Sequence, residues 1–110
     1  MKVTYRQASR DDVTRQFRYY LVKLNLPDVA IRFKEGVRKT VKAISQQPRI
    51  APLYHLGNPQ LQNLRFWPVA GFEAIRLYFV LENETMRVIR ILHGKQDVRG
   101  ILERERSSEN

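Results

Sequence analysis

The 110-residue chain contains no cysteine. That absence excludes disulfides, a thiol nucleophile, zinc–thiolate sites and iron–sulfur clusters, and it suits a reducing compartment. Histidine is scarce as well. His55 and His93 are the two present, and no third ligand stands at a suitable spacing, so no metal site is expected. Long apolar runs are lacking. The longest, Leu77 to Leu81, falls far short of the ~20 residues that span a bilayer. Met1 to Arg6 has no apolar signal core. A cytoplasmic protein with no membrane partner is therefore expected. The sequence also lacks a glycine-rich phosphate loop, a nucleophile elbow and an HExxH pair. Glu73, Glu82 and Glu84 are isolated, so paired-carboxylate chemistry has no home, and no cofactor is expected.

Acidic residues are in the minority. Twenty Lys and Arg face eleven Asp and Glu, a formal net charge of +9. Such a surplus creates a positive field that favours polyanions, whether nucleic acid or an acidic protein segment, although a merely solvated basic surface would carry it too. The apolar fraction of 43% is that of a folded domain. The length is that of one domain, with a core large enough to need no covalent staple. We expect a single domain over residues 1–106 and a frayed tail at 107–110.

Periodicity predicts an α+β fold. Lys2 to Gln7 reads as a short strand. Ser9-Arg10-Asp11-Asp12 resembles a capping box, and Val13, Phe17, Leu21 and Leu24 follow on one helical face. Leu26-Pro27-Asp28 opens a second helix, with proline tolerated in its first turn. Val29, Phe33, Val37, Val41 and Ile44 form its apolar stripe, while Arg32, Lys34, Arg38, Lys39 and Lys42 lie opposite, and Pro48 ends it. The short link around Asn25 suggests an antiparallel helix hairpin. After a loop from Pro48 to Pro59, three strands are expected: Leu64–Trp67, Phe72–Leu81 and Met86–His93. The polar turn at 82–85 makes an antiparallel meander. A short helix within Asp97–Arg106 would turn Val98, Ile101 and Leu102 inward.

Side chains alternate across a strand. Ile75, Leu77, Phe79 and Leu81 therefore share a face, as do Ile89 with Ile91 and Leu64 with Phe66. These sets are expected beneath the helix hairpin. The other face would then carry Arg65, Trp67, Arg76, Tyr78 and Arg90. Arginine over buried aliphatics is common to any one-sided sheet. The two aromatic rings among them add the capacity to grip phosphate, carboxylate or a partner protein.

The C-terminal half carries a family resemblance. Leu64-Arg65-Phe66-Trp67-Pro68-Val69 with Gly71-Phe72, then Ile75-Arg76-Leu77-Tyr78-Phe79, and above all Arg90-Ile91-Leu92-His93-Gly94-Lys95-Gln96-Asp97 resemble the RelE/ParE toxins, in their ParE-like branch. The strand–helix–helix–strand–strand–strand order agrees. The resemblance implies the toxin of a type II toxin–antitoxin system of the plasmid-stabilisation kind. Such a toxin poisons DNA gyrase and is held in a hetero-oligomer by a ParD-like antitoxin whose acidic C-terminal segment folds onto it. Target-binding residues would be Arg65, Trp67, Arg76, Tyr78, Arg90, His93, Lys95 and Arg99, with Arg90 to Arg106 carrying much of the toxicity. Antitoxin-binding residues would be Phe17, Tyr20, Leu24, Arg38 and Trp67. No catalytic residue is expected. The alternative is a RelE-like, ribosome-dependent mRNA endonuclease using Arg65, Arg76, Arg90 and His93, but no tyrosine follows Tyr78 to complete that branch's site. A non-toxic binding module is the second alternative.

Overall fold

A computed structural model describes residues 1–106; the expected frayed tail lies outside the described residues. The elements run β1 (Lys2–Tyr5), α1 (Gln7–Arg18), a π-helical turn (Tyr19–Lys23), α2 (Pro27–Gln46), β2 (Arg65–Val69), β3 (Phe72–Glu82), β4 (Thr85–His93) and α3 (Val98–Glu103). Among the described residues four strands form one sheet in the order β1-β4-β3-β2. The meander β2-β3-β4 is antiparallel, as expected, and β1 joins the free edge of β4 in parallel. The two-residue turn Asn83-Glu84 has both φ angles positive, 49° and 66°. That is the twist-matched geometry of a tight hairpin. Pro68 is accommodated in β2 because this strand lies at the sheet's edge. No helix among the described residues is long and apolar enough to cross a membrane.

The long helix follows the predicted pattern. Pro27 occupies its first turn, and Ala30, Phe33, Val37, Val41 and Ile44 are buried, with Ala30 taking the place expected of Val29. They pack on Ile75, Leu77 and Phe79 of β3. Gly36 also faces the sheet. A Cβ there would stand 2.8 Å from the carbonyl oxygen of Ala70 in the β2–β3 turn. The turn is tied to the helix by Thr40, whose Oγ1 donates to the Gly36 carbonyl (2.7 Å) and accepts from the Ala70 amide (2.9 Å). In an exposed helix Gly→Ala would gain about 1 kcal/mol. Here the backbone carbonyl leaves no room, and Gly36→Ala should instead cost about 1–3 kcal/mol. Urea unfolding measures this, and a more stable variant would refute the close approach.

Four expectations are corrected. Helix α1 begins at Gln7, so Ser9 lies inside its first turn. Its Oγ donates to the Arg6 carbonyl at 2.7 Å, and it caps nothing by accepting from Asp12. The π-helical turn inserts a residue into the α register. Tyr20 therefore packs on Phe33 and Phe72, with ring centroids 5.7 Å away in each case, while Leu21 and Leu24 face solvent. In β2 the faces are reversed. Arg65 and Trp67 pair with Phe79 and Leu77 on the helix side, and Leu64 and Phe66 join the opposite face. In β4 a bulge sets Ile89 and Arg90 against Tyr78, so Ile91 faces the helices and Ile89 does not.

The face away from the helix hairpin is consequently not open. Leu61, Leu64, Tyr78, Val80, Ile89, Leu92 and Leu102 are buried there as a second core. The 51–64 segment and α3 supply its outer residues, with Val98 and Ile101 packed against it as predicted.

Candidate functional site

Three features bear on function, beginning with the grip on the C-terminal segment. Arg6 follows β1 and its side chain is fully buried, while Arg90 is 14% exposed at the β4 bulge. Asp12, on α1, offers a fork to Arg90: Oδ2 accepts from Nε at 2.7 Å and Oδ1 from Nη2 at 2.8 Å. Its Oδ2 also accepts from the Ile91 amide (2.9 Å), and Oδ1 accepts from Arg15 (3.2 Å). The carboxylate thereby satisfies a backbone donor that has no strand beside it. Glu105 arrives from the other side, accepting from Arg90 Nη1 at 2.7 Å and lying 3.4 Å from Arg6 Nη1. Arg6 also donates to the Arg106 carbonyl. Two buried arginines thus face two carboxylates, as charge balance at low dielectric demands. The bonds to Asp12, above all, raise the Arg90 pKa, against the opposing effect of burial. Asn58 completes the grip: its Nδ2 lies 3.0 Å from the Leu102 carbonyl and 2.8 Å from that of Glu105, capping the end of α3.

The second feature is the connection between the helices. Tyr19, Leu21, Val22, Leu24, Leu26 and Ile31 are all exposed, Val22 by 74%. Arg18, Lys23, Arg32 and Lys34 are exposed among them. Exposed large apolar residues gathered in one short stretch mark an interaction surface more often than chance exposure.

The third is a cleft of about 480 Å³ on the second face, between the β3 start, the β4 end and the loop that follows. Tyr54 stands edge-on to Tyr78 (5.4 Å) and to Phe66 (5.9 Å). The Arg76 guanidinium lies over the Phe66 ring (4.8 Å) and that of Arg99 over Tyr54 (5.3 Å). His93 and Lys95 form another border. The His93 Nδ1 accepts from the Lys95 amide at 3.0 Å, which fixes the ring. Burial pushes the Tyr78 phenol up, with Arg76 acting in the opposite sense.

The predicted target set is therefore divided. Arg76, Tyr78, His93 and Lys95 line the cleft, and Arg99 lies at its border over Tyr54. Arg65 lies on the helix side, its Nη1 donating to the Ala51 carbonyl at 2.6 Å. Trp67 is half-buried against the first core, and Arg90 is enclosed by carboxylates. Of the predicted antitoxin contacts, Leu24 and Arg38 are exposed, Arg38 pairing with Glu35. Phe17 is half-covered and meets the Lys34 ammonium, and Tyr20 belongs to the core margin. Sequence reasoning missed Tyr54, Asn58, Asp12, Val22 and Ile31. Val22 and Ile31 were detectable as apolar residues lying off their helices' buried stripes.

A helix hairpin on a four-stranded sheet, closed behind by a short C-terminal helix, is the fold of the RelE/ParE toxins. Within that class, the family described as the ParE toxin of type II toxin–antitoxin systems, parDE, matches residues 3–98, and the chain belongs to it. A solved chain from the chromosomal ParDE toxin–antitoxin system of P. aeruginosa is similar, with 18% identity and a TM-score of 0.64 over 84% of this chain and 95% of that one. At that identity the likeness shows the fold alone. Comparison with curated proteins gave no match.

Proposed function

We propose that this ParE-family toxin acts in the cytoplasm by poisoning DNA gyrase and is silenced by a ParD-like antitoxin whose acidic C-terminal segment folds over the helix hairpin. One observation carries the choice of target. The four residues that an mRNA endonuclease would need do not share a site. Arg65 lies across the sheet from the cleft, and Arg90 is held by Asp12 and Glu105. Of those four, Arg76 and His93 alone remain at the cleft, so the set proposed as base, acid and phosphorane-stabilising cations of a 2′-OH attack is not assembled. The antitoxin reading rests on exposed apolar side chains from Tyr19 to Ile31, with Arg18, Lys23, Arg32 and Lys34 in and around the stretch against the single carboxylate of Asp28, a surface complementary to an acidic amphipathic segment that orders on binding.

Purified toxin should trap gyrase–DNA cleavage complexes and leave mRNA on translating ribosomes intact. Codon-linked mRNA cuts with normal gyrase would overturn the proposal. Leu24→Asp should weaken a ParD-like partner about 30-fold, the size of one interface hot spot of roughly 2 kcal/mol. It should leave the melting temperature unchanged, because Leu24 lies outside the core. Titration calorimetry beside thermal melting checks both.

A further inference from the structure

We propose that the Tyr54–Arg76–His93–Lys95–Arg99 cleft binds a single-stranded nucleic-acid segment, with bases stacked on the arginine–aromatic shelf and phosphates on the surrounding cations. The inference goes beyond the gyrase reading and does not require it. The shelf is built before any ligand arrives. Tyr54 stands edge-on to both Phe66 and Tyr78, which lie tilted against each other at 6.2 Å, and each outer guanidinium already lies over a ring. A planar guanidinium held in this way offers a flat face to a base and leaves in-plane N–H donors for phosphate. Its rotamer entropy is spent in folding and not in binding.

The charges are available for this use. Among the described residues no carboxylate pairs with Arg76 or Lys95. Arg99 is more engaged: it donates to the His55 carbonyl at 3.1 Å and lies 3.6 Å from Glu103 across an exposed pair, a contact that a phosphate can readily replace. Glu73 also borders the cleft, and its Oε2 is turned to the Gly71 amide (3.1 Å). A cavity of this size accepts a small ligand such as a base with its phosphate. The basic outer side of α2 is comparably charged but belongs to a convex helix. It would attract any polyanion without stacking a base. An acidic peptide would use the cations but not the ring shelf, so a nucleic acid fits the whole cleft better.

The test uses the full chain alone, without gyrase or antitoxin. A 5′-labelled mixed-sequence DNA strand of ten nucleotides is followed by fluorescence anisotropy at several salt concentrations, beside the same sequence as a duplex. With three cations engaged, log Kd should change with log salt by a slope of about 2 for a single strand. The double variant Lys95→Gln/Arg99→Gln should weaken binding at least tenfold and reduce that slope by about 1.4. Tyr54→Leu should weaken binding about tenfold with little change in slope. Lys39→Gln/Lys42→Gln on α2 should leave both nearly unchanged. Equal losses from the α2 pair and the cleft pair would reduce the effect to general charge and overturn the proposal. Preference for duplex would overturn it as well, as would displacement of the strand by an equimolar acidic decapeptide. Each variant is compared at matched melting temperature, so unfolding cannot imitate lost binding. A toxin that binds no strand yet traps gyrase would refute this inference and leave the gyrase proposal intact.

Discussion

Asp12→Ala will remove about 3–5 kcal/mol of stability, the cost of leaving one member of a buried ion pair without its partner. The carboxylate is 1% exposed and takes both arms of the Arg90 fork together with the Ile91 amide. Alanine would leave the guanidinium with Glu105 on one side only and strand an edge N–H in one step, and water has poor access to either. Since domains of this size hold about 5–15 kcal/mol in all, the loss should show as a large fall in the urea midpoint. Replacing the pair by apolar residues, Asp12→Leu with Arg90→Met, should recover much of it, because a well-packed apolar pair often matches a buried ionic one. Glu105 then keeps Arg6 as its counter-charge. A single-variant loss below about 1 kcal/mol would mean the network contributes little.

Truncation after Gln96 will be more damaging still. It removes Val98, Ile101 and Leu102 from the second core, exposing Tyr78, Val80, Ile89 and Leu92. A buried leucine alone is worth about 2–5 kcal/mol. The cut also takes Glu105 from Arg6 and Arg90. We expect a melting temperature at least about 15 °C lower, from several kcal/mol at roughly 4–8 °C each for a domain near 100 residues, read by circular dichroism. A truncated chain melting within a few degrees of the whole would contradict the second core. The result governs how toxicity is mapped. If the truncated protein is barely folded, its loss of toxicity says nothing about target contact. Lys95→Gln and Arg99→Gln, which alter exposed side chains only, are the variants that do.

Where one face of an element meets solvent, the sequence could be read directly. The α2 stripe from Phe33 to Ile44 and the polar turn at 82–85 were legible, and in β3 the set Ile75, Leu77 and Phe79 was legible too, although Tyr78 and Val80 are buried behind it. Where both faces are buried, alternation loses its direction. In β2, Leu64 and Phe66 compete with Trp67 and Val69, apolar residues on both sides, and nothing local says which set meets the helices. The bulge at Ile89 and the π-helical turn at Tyr19–Lys23 each shift a pattern by one residue while leaving its composition intact. The candidate sites suffered in the same way. Arg65 and Arg90 looked like cleft cations because the faces were misassigned, and Asp12 looked like a helix-capping acid. Its true partner is 78 residues away, a separation no short-range pattern can bridge. The exposed apolar tip was hidden by an assumed regular helix, which would have buried Leu21 and Leu24.

Parallel pairing of β1 with β4 has a consequence for the newly made chain. Tyr5 pairs with Val88 and Asp12 with Arg90, while Arg6 waits for Glu105. Each of these N-terminal residues is synthesised before roughly three-quarters of the chain exists. At about 5–20 residues per second, β1 and the α1 carboxylate stay without their final partners for several seconds. The helix hairpin, whose contacts are local, can form in that interval with its apolar tip already on display. A binding protein present during translation would thus meet this exposed apolar tip before the last strand and the C-terminal helix have completed the body of the toxin.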